Sequence, residues 1–318
     1  MTRLLVAETF VLLALSALAL DLYAHHRVET LGGVNVWGYR GAVARHKAPD
    51  EIRVALIGGT RAFAWGQGAT ALSAEIRRRM MLSLDRPGAR VRPVSVINLA
   101  SVGALPDEYV AAIDHYAYLS PDAICLYDDL GVAGGAAARS AVFEATRYAP
   151  ALPLVLREKG MRWRFGEVAR GYGDSSHGST TGPIVARMAG SVVEHVGAVL
   201  QAVDGSLVRR SSDTPSSDYP DALVRAVDAA RRHARGVLLA FSVAETTQQR
   251  SARSAVQIAL TRAFGSPPWL RIVDLDGDER LLDPAWRVDG WDYGSGAVAL
   301  VAERLASALL SLVQALPA

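Results

Sequence analysis

The sequence predicts an α/β protein in which helices cover both faces of a parallel sheet, a three-layer α/β/α fold, preceded by one N-terminal transmembrane helix. From residue 51 onward, short apolar runs alternate with longer stretches of helical periodicity, a pattern typical of parallel strands joined by helices. Before that, residues 4–24 are almost entirely apolar. With 318 residues, 50% of them hydrophobic and 21% charged, the chain can bury a large core.

The composition argues against several classes of protein. Cys125 is the single cysteine, which excludes an internal disulfide and a cysteine-rich zinc site, and its apolar surroundings predict a buried, inert thiol. The net charge is +2, and basic residues are dispersed among acidic ones. This pattern argues against nucleic-acid binding.

The N-terminal apolar run predicts a membrane anchor. At about 1.5 Å per helical residue, residues 4–24 would reach roughly 30 Å, enough to cross a bilayer. A small-residue motif at 17–19 would also suit cleavage of an export signal. The charges flanking the run set orientation only weakly. We expect a single-pass protein of a bacterial cytoplasmic (inner) membrane, with its main domain periplasmic or otherwise extracytoplasmic.

Glu8 lies inside the predicted span. A carboxylate there is costly unless it is paired, protonated or close to the interface. Either Glu8 is shallow enough to reach lipid head groups, or a helix of a partner protein satisfies it.

Residues 1–27 are therefore interpreted as the transmembrane anchor, 28–50 as a polar, glycine-containing connector, and 51–318 as the α/β domain. Pro49 marks the break before the first strand, because the residue before a proline disfavours helix. Residues 134–221 do not follow the alternation and contain loops rich in Gly, Ser and Thr. They are predicted to form an irregular insertion at the rim of the sheet.

The elements of the domain follow in order. Short aliphatic runs predict buried strands, at 53–57, 94–99, 123–127, 237–243 and 272–275. Longer stretches, in which apolar residues recur every three or four positions, predict helices, at 71–84, 107–119, 187–203, 254–264 and 297–316. In an open α/β sheet ligands bind beyond the carboxyl ends of the strands, so residues directly after the strands are the candidate site.

Four sequence blocks carry a specific resemblance. They are Asn35-x-x-Gly38-x-Arg40-Gly41 before the first strand, Gly58-Gly59-Thr60 after it, Asn98 to Gly103 after the second, and Tyr127-Asp128-Asp129 at the end of the third. In this order and spacing the chain resembles the SGNH/GDSL hydrolase family, most closely its membrane-anchored envelope members. The resemblance covers roughly residues 34–130 and 272–310 and implies a flavodoxin-like sheet.

The resemblance also identifies where catalytic residues would stand. In the family the first block reads Gly-Asp-Ser, where this chain has Gly58-Gly59-Thr60, so Thr60 stands at the position of the nucleophilic serine. The second block supplies an oxyanion glycine, which Gly103 matches. The family's oxyanion asparagine corresponds to Gly131. Its final Asp-x-x-His motif corresponds to Asp289 and Asp292, so the histidine is replaced. A threonine without a base is a poor nucleophile, and an aspartate is a weak base at neutral pH. These positions predict a degenerate pocket with no catalytic residues, as in a pseudoenzyme.

No cofactor or metal is expected, although Asp128, Asp129, Asp289 and Asp292 could as a group suit a divalent cation. His177 lies in a loop rich in Gly and Ser that could fold over the pocket, which makes it the candidate replacement base among the histidines.

Residues Arg162, Trp163, Arg164 and Phe165 alternate cationic and aromatic side chains, which would suit contact with lipid head groups. We therefore expect an accessory or scaffold subunit whose partners are integral membrane protein subunits and the lipid bilayer. Two alternatives stay open. One is an envelope polysaccharide O-acetylesterase or acyltransferase that uses Thr60, and the other is a glycan-binding module. The sequence identifies no small-molecule ligand.

Overall fold

A computed structural model describes residues 2–28, 33–64, 71–85, 92–130, 140–166, 168–172, 183–206, 219–244, 246–282, 287–288, 292–293 and 295–315. Its contacts divide the chain into two compact units. One contains residues 1–43, 138–168 and 180–209, and the other contains 44–137, 169–179 and 210–318. We call them the helical unit and the sheet unit.

Within the described residues the helices are, in chain order, α1 (Thr2–Val28), α2 (Thr60–Ala64), α3 (Leu72–Leu84), α4 (Pro106–His115), α5 (Ala141–Thr146), α6 (Leu152–Phe165), α7 (Val168–Tyr172), α8 (Ile184–Ser206), α9 (Tyr219–His233), α10 (Thr247–Phe264), α11 (Glu279–Leu282) and α12 (Ser295–Ala315). The strands are β1 (Ile52–Gly58), β2 (Val94–Asn98), β3 (Ala123–Asp128), β4 (Gly236–Phe241), β5 (Leu270–Asp274), β6 (Arg287–Val288) and β7 (Asp292–Tyr293).

The sheet unit is built on five parallel strands in the order β2-β1-β3-β4-β5. The central strands β1, β3 and β4 are buried along their whole length. They read as continuous apolar runs because helices cover both faces of the sheet. Strand β5 lies at the edge and is largely open to solvent.

Two groups of helices flank this sheet. Helices α3 and α12 pack against each other and against the strands, and α9 packs between α4 and α10. The predicted three-layer α/β/α fold is confirmed. The ends of some predicted helices differ from those in the structure. Helix α10 was predicted to begin at residue 254 but begins at Thr247, because Thr246 and Gln249 form a capping box there. The predicted helix 107–119 ends at His115 and continues as a 3-10 turn, Ala117–Leu119.

Helix α12 is a core helix of this unit. Among residues whose side chains the structure describes, Gly296–Ala315 is the one helical stretch long and apolar enough to cross a membrane. More than half of it is buried against α3 and the sheet. Its apolar composition is therefore explained by packing inside the domain.

In the helical unit, the predicted anchor lies within the continuous helix α1, whose 27 residues include residues 4–24. Many of its large apolar side chains are exposed, namely Val11, Leu12, Leu15, Leu18, Leu20, Leu22 and Tyr23. Glu8 is exposed as well. The helix is confirmed, and its passage through a bilayer stays a prediction.

The carboxyl-terminal part of α1 is fixed by buried polar contacts. Asp21 accepts hydrogen bonds from the Tyr148 hydroxyl and from the Leu152 amide. The two ring nitrogens of His25 lie 3.0 Å from the Val34 carbonyl oxygen and 2.8 Å from the Ala149 carbonyl oxygen. These contacts hold α1 to the connector at Val34 and to residues 148–152, where α5 is linked to α6.

Helices α6 and α8 approach closely through glycines. A Cβ atom at Gly160 would lie 2.3 Å from the Glu194 nitrogen, and one at Gly197 would lie 2.5 Å from the Arg157 nitrogen. The interface therefore has no room for side chains at these positions, which brings the two helix backbones together.

This packing corrects one sequence expectation. Residues 161–165 belong to α6, and Phe165 is buried together with Met161, one turn earlier. Because residues four apart share a helix face, Phe165 points inward, and its assignment to a membrane-contacting surface is wrong. Arg162 and Trp163 are exposed, while Arg164 is half-buried and forms an ion pair with Glu194 at 3.1 Å. Contact of these three residues with lipid stays a prediction.

Candidate active site

The turn after β1 is tightly packed. A Cβ atom at Gly58 would lie 2.5 Å from the Tyr127 carbonyl oxygen and 2.9 Å from the Ala62 Cβ. Glycine is therefore required where α2 begins beside strand β3. The turn delivers Thr60 to the first position of α2, beyond the carboxyl end of β1, where the resemblance predicts the nucleophile.

The Thr60 hydroxyl is engaged by the backbone. Thr60 is only 2% exposed, and its Oγ1 accepts a hydrogen bond from the Gly103 amide, with the two atoms 2.9 Å apart. Gly103 has φ +69°, a left-handed conformation that favours glycine. The structure thus brings together two of the predicted pocket residues. Among the described residues no imidazole hydrogen-bonds to the Thr60 hydroxyl.

Strand β3 ends in two buried carboxyl groups, Asp128 and Asp129. The Asp128 carboxylate accepts hydrogen bonds from the Tyr219 hydroxyl and from the Leu130 amide, the latter at 3.2 Å. The Asp129 Oδ2 accepts from the Arg61 amide at 3.1 Å. Its Oδ1 is buried and has no hydrogen-bond partner among the described residues.

Asp129 also fills space beside Gly59. A Cβ atom at Gly59 would lie 2.7 Å from the Asp129 Oδ2. In the family that this chain resembles, the position of Gly59 carries an aspartate. Here a carboxylate reaches the same turn from the end of β3 instead, and only glycine leaves room for it.

Burial is the main reason why both carboxyl groups hold protons tightly. It raises the pKa of Asp128 to about 7, and the neighbouring Asp129 charge adds to the rise, while the Tyr219 hydrogen bond opposes it. Burial likewise raises the pKa of Asp129 to about 6, against the opposing charge of Arg61. Next to Asp128, the pKa of the Tyr219 hydroxyl is raised well above its usual value, by burial first and by the Asp128 charge second.

These shifts predict a pH-dependent stability. Because the folded pKa values exceed the unfolded value near about 3.9, the folded protein binds protons more tightly. The stabilisation is complete below about pH 4 and is lost as the pH rises to about 7. From pH 5 to pH 8 we expect the free energy of unfolding to fall on the order of 2 kcal/mol from Asp128 alone. Chemical unfolding of the full-length protein at both pH values measures it.

The matched variants are Asp128→Asn and Asp107→Asn. Asp107 is exposed and pairs with Arg225, so its variant should keep the wild-type pH dependence. Asp128→Asn should reduce the pH dependence of the free energy of unfolding. Equal pH dependence in the two variants would contradict a raised pKa at Asp128.

Other predicted pocket residues are not placed. Gly131 and Asp289 lie outside the described residues, as does His177. Asp292 is described in its backbone, where it pairs in β7 with Val288 of β6. Within the described part of the chain, no group of three His, Cys, Asp or Glu side chains could hold a metal ion. The expectation of no metal or cofactor stays a prediction.

Sequence reasoning missed the residues that surround the carboxyl groups. Tyr219 begins α9, and its hydroxyl donates to the Asp128 carboxylate. Tyr109 is a buried residue of α4, and burial together with the Asp128 charge raises the pKa of its hydroxyl well above the usual value. Neither tyrosine stands directly after a strand, so the rule that predicted the candidate positions does not include them. Ser242 could have been found, because it directly follows β4, where the candidate positions lie. Its hydroxyl is buried without a hydrogen-bond partner among the described residues.

Comparison with known proteins gives one distant structural match and no sequence match. No protein-family model matches the chain, and no curated protein matches it. Among solved structures, the chain is similar to a family two carbohydrate esterase from Clostridium thermocellum in complex with cellohexaose. The TM-score is 0.45 and the identity 11%, over 87% of this chain and 69% of that chain. A likeness at this level carries no argument about what this chain does.

Proposed function

We propose that the chain is a non-catalytic, membrane-tethered SGNH-like domain that serves as an accessory or scaffold subunit of a larger membrane protein assembly. The observation that carries the loss of catalysis is the hydrogen bond from the Gly103 amide to the Thr60 hydroxyl. In the family, that amide stabilises the oxyanion of the reaction. Here it binds the side chain at the nucleophile position, in a turn that is closed to solvent.

The chemistry around Thr60 supports the same proposal. Attack by a hydroxyl requires a base that takes its proton and donors that stabilise the developing negative charge. Thr60 hydrogen-bonds to no imidazole among the described residues. The neighbouring Asp129 is acidic, and its charge beside an oxyanion would raise the barrier of the reaction.

One observation favours the alternative, an esterase or acyltransferase with an atypical site. Asp129 has a pKa raised to about 6 and a buried Oδ1 without a hydrogen-bond partner among the described residues. A carboxylate of that kind is a stronger proton acceptor than an exposed one. It bonds to the Arg61 amide, however, and not to the Thr60 hydroxyl.

A direct assay separates the two readings. We expect the purified full-length protein to hydrolyse p-nitrophenyl acetate no faster than its Thr60→Ala variant. The variant loses one hydroxyl and one methyl group, and the Gly103 amide loses its acceptor. A rate that falls at least tenfold in a Thr60→Ala variant that keeps the wild-type circular dichroism spectrum would establish the esterase and refute the pseudoenzyme.

The membrane tether rests on α1. At about 1.5 Å per residue its 27 residues reach about 40 Å. Those of its large apolar side chains that the structure describes are exposed, as lipid-facing side chains would be. The buried contacts of Asp21 and His25 then fix the end of the tether to the segment between α5 and α6 and to the first residue of α6. Such a rigid junction suits a scaffold better than a flexible linker would, because it holds the domain in a fixed position relative to the tether.

The assembly is tested by the size of the purified particle. Full-length protein extracted from its native membrane in mild detergent should run with stoichiometric integral membrane partners. Particles that contain only this chain would contradict the accessory-subunit proposal, whatever the outcome of the esterase assay.

A further inference from the structure

The outward face of α8 is a continuous apolar stripe. One side of this 23-residue helix packs on α6 through Gly190 and Gly197. On the other side, six apolar residues are between 41% and 78% exposed, namely Val185, Met188, Val192, Val196, Leu200 and Val203. Their spacings of three and four residues place them on one helix face. We call this set the α8 stripe.

The α8 stripe has the same pattern in both directions. Its members pair symmetrically about position 194: Val185 with Val203, Met188 with Leu200, and Val192 with Val196. Two identical helices that pack antiparallel around a two-fold axis place each member of such a pair opposite the other. Self-complementarity of this kind is what a two-fold symmetric interface requires.

The charge of α8 favours protein over lipid as the occupant. A helix that lies on an anionic membrane surface carries several Lys or Arg residues beside its apolar face. Apart from His195, the titratable residues of α8 are Arg187, Glu194 and Asp204, which give no positive excess. Glu194 is in addition paired with Arg164 of α6.

The exposed area is sufficient for a dimer. From the exposed fractions, the α8 stripe offers at most roughly 600 Å² per copy. Its complete burial in a pair would remove about 1,200 Å² from water, the lower end of specific interfaces. Val199 and Ile184, exposed beside the stripe, would add to that area.

We propose that the α8 stripe binds a second copy of this chain, with the two α8 helices antiparallel and the two-fold axis near residue 194. The interface uses no residue of the Thr60 turn. It therefore stands whether or not the domain hydrolyses esters, and it goes beyond the proposed scaffold role by naming one of the contacts the scaffold makes.

Cysteine cross-linking tests both the contact and its direction. The native Cys125 is fully buried, and burial raises its pKa to about 12, so it contributes little background. Differently tagged full-length chains carrying Val185→Cys and Val203→Cys, co-expressed in one membrane, should cross-link to each other through a short bismaleimide. Val185→Cys alone should not, because two copies of residue 185 would be about 27 Å apart along antiparallel helices.

A substitution in the centre of the stripe provides the second measurement. Val192→Glu should raise the dimer dissociation constant at least 100-fold, as measured by light scattering in detergent. Ile258→Glu changes an equally exposed residue of α10, at 62% exposure, and should leave the dimer intact. The proposal is overturned if the wild-type chain is monomeric, if Val185→Cys cross-links to itself as well as to Val203→Cys, or if both Glu variants behave alike. Neither outcome of the p-nitrophenyl acetate assay would change the results expected here.

Discussion

Replacing Gly160 by alanine is expected to lower the free energy of unfolding by about 3 kcal/mol, as overpacking of a close interface does. In an isolated helix the same change would stabilise by about 1 kcal/mol. In the protein a steric clash makes the substitution destabilising, because the new Cβ would lie 2.3 Å from the nitrogen and 2.6 Å from the Cα of Glu194. These are backbone atoms, so no change of rotamer relieves the contact, and α6 must move away from α8.

Chemical unfolding of the full-length protein, followed by circular dichroism in detergent, measures this loss. Lys159→Ala is the matched control. Lys159 is the exposed neighbour in α6, and its ammonium lies 5.1 Å from the centroid of the Trp163 ring, so its replacement should change stability by less than about 1 kcal/mol. A Gly160→Ala variant as stable as Lys159→Ala would show that the two helices do not pack as closely as the structure has them.

Replacing Gly59 by aspartate, which restores the Gly-Asp pair of the SGNH/GDSL block, should destabilise the sheet unit by about 4 kcal/mol, since it combines overpacking with a second buried charge. The new Cβ would lie 2.7 Å from the Asp129 Oδ2 and 3.2 Å from the Ala104 carbonyl oxygen. Asp129 has a short, buried side chain that accepts a hydrogen bond from the Arg61 amide. It cannot turn away from the new side chain without losing that hydrogen bond. A second carboxylate in the same space adds like-charge repulsion.

A double-mutant cycle with Asp129→Ala tests the cause. Asp129→Ala alone should cost about 1–3 kcal/mol, because the buried Arg61 amide loses its acceptor. Combined with Gly59→Asp it should recover stability, with a coupling energy of at least about 2 kcal/mol. Additive effects of the two substitutions would mean that Asp129 does not occupy the space of the missing side chain.

Much of the fold followed from local pattern. Strands buried on both faces must be apolar throughout, so the runs that became β1, β3 and β4 were predicted to within two residues. The turn at Gly58 and the continuous helix over residues 4–24 were predicted for a similar reason. Both depend on short-range steric effects and on periodicity, which involve only residues that are close together in the sequence. Helix ends were less accurate, as at α10, where a capping pair within a polar segment set the start.

Local sequence accounts for the alternation of strands and helices, for the apolar N-terminal helix, and for the residue types that stand after β1 and β3. How those residues meet depends on the three-dimensional packing of the chain. It directed the Gly103 amide at Thr60, 43 residues away in the chain, placed Asp129 against Gly59, and turned Phe165 inward. Strand register and helix packing control such long-range contacts, and they arise when the whole core is assembled, so no local stretch of sequence encodes them.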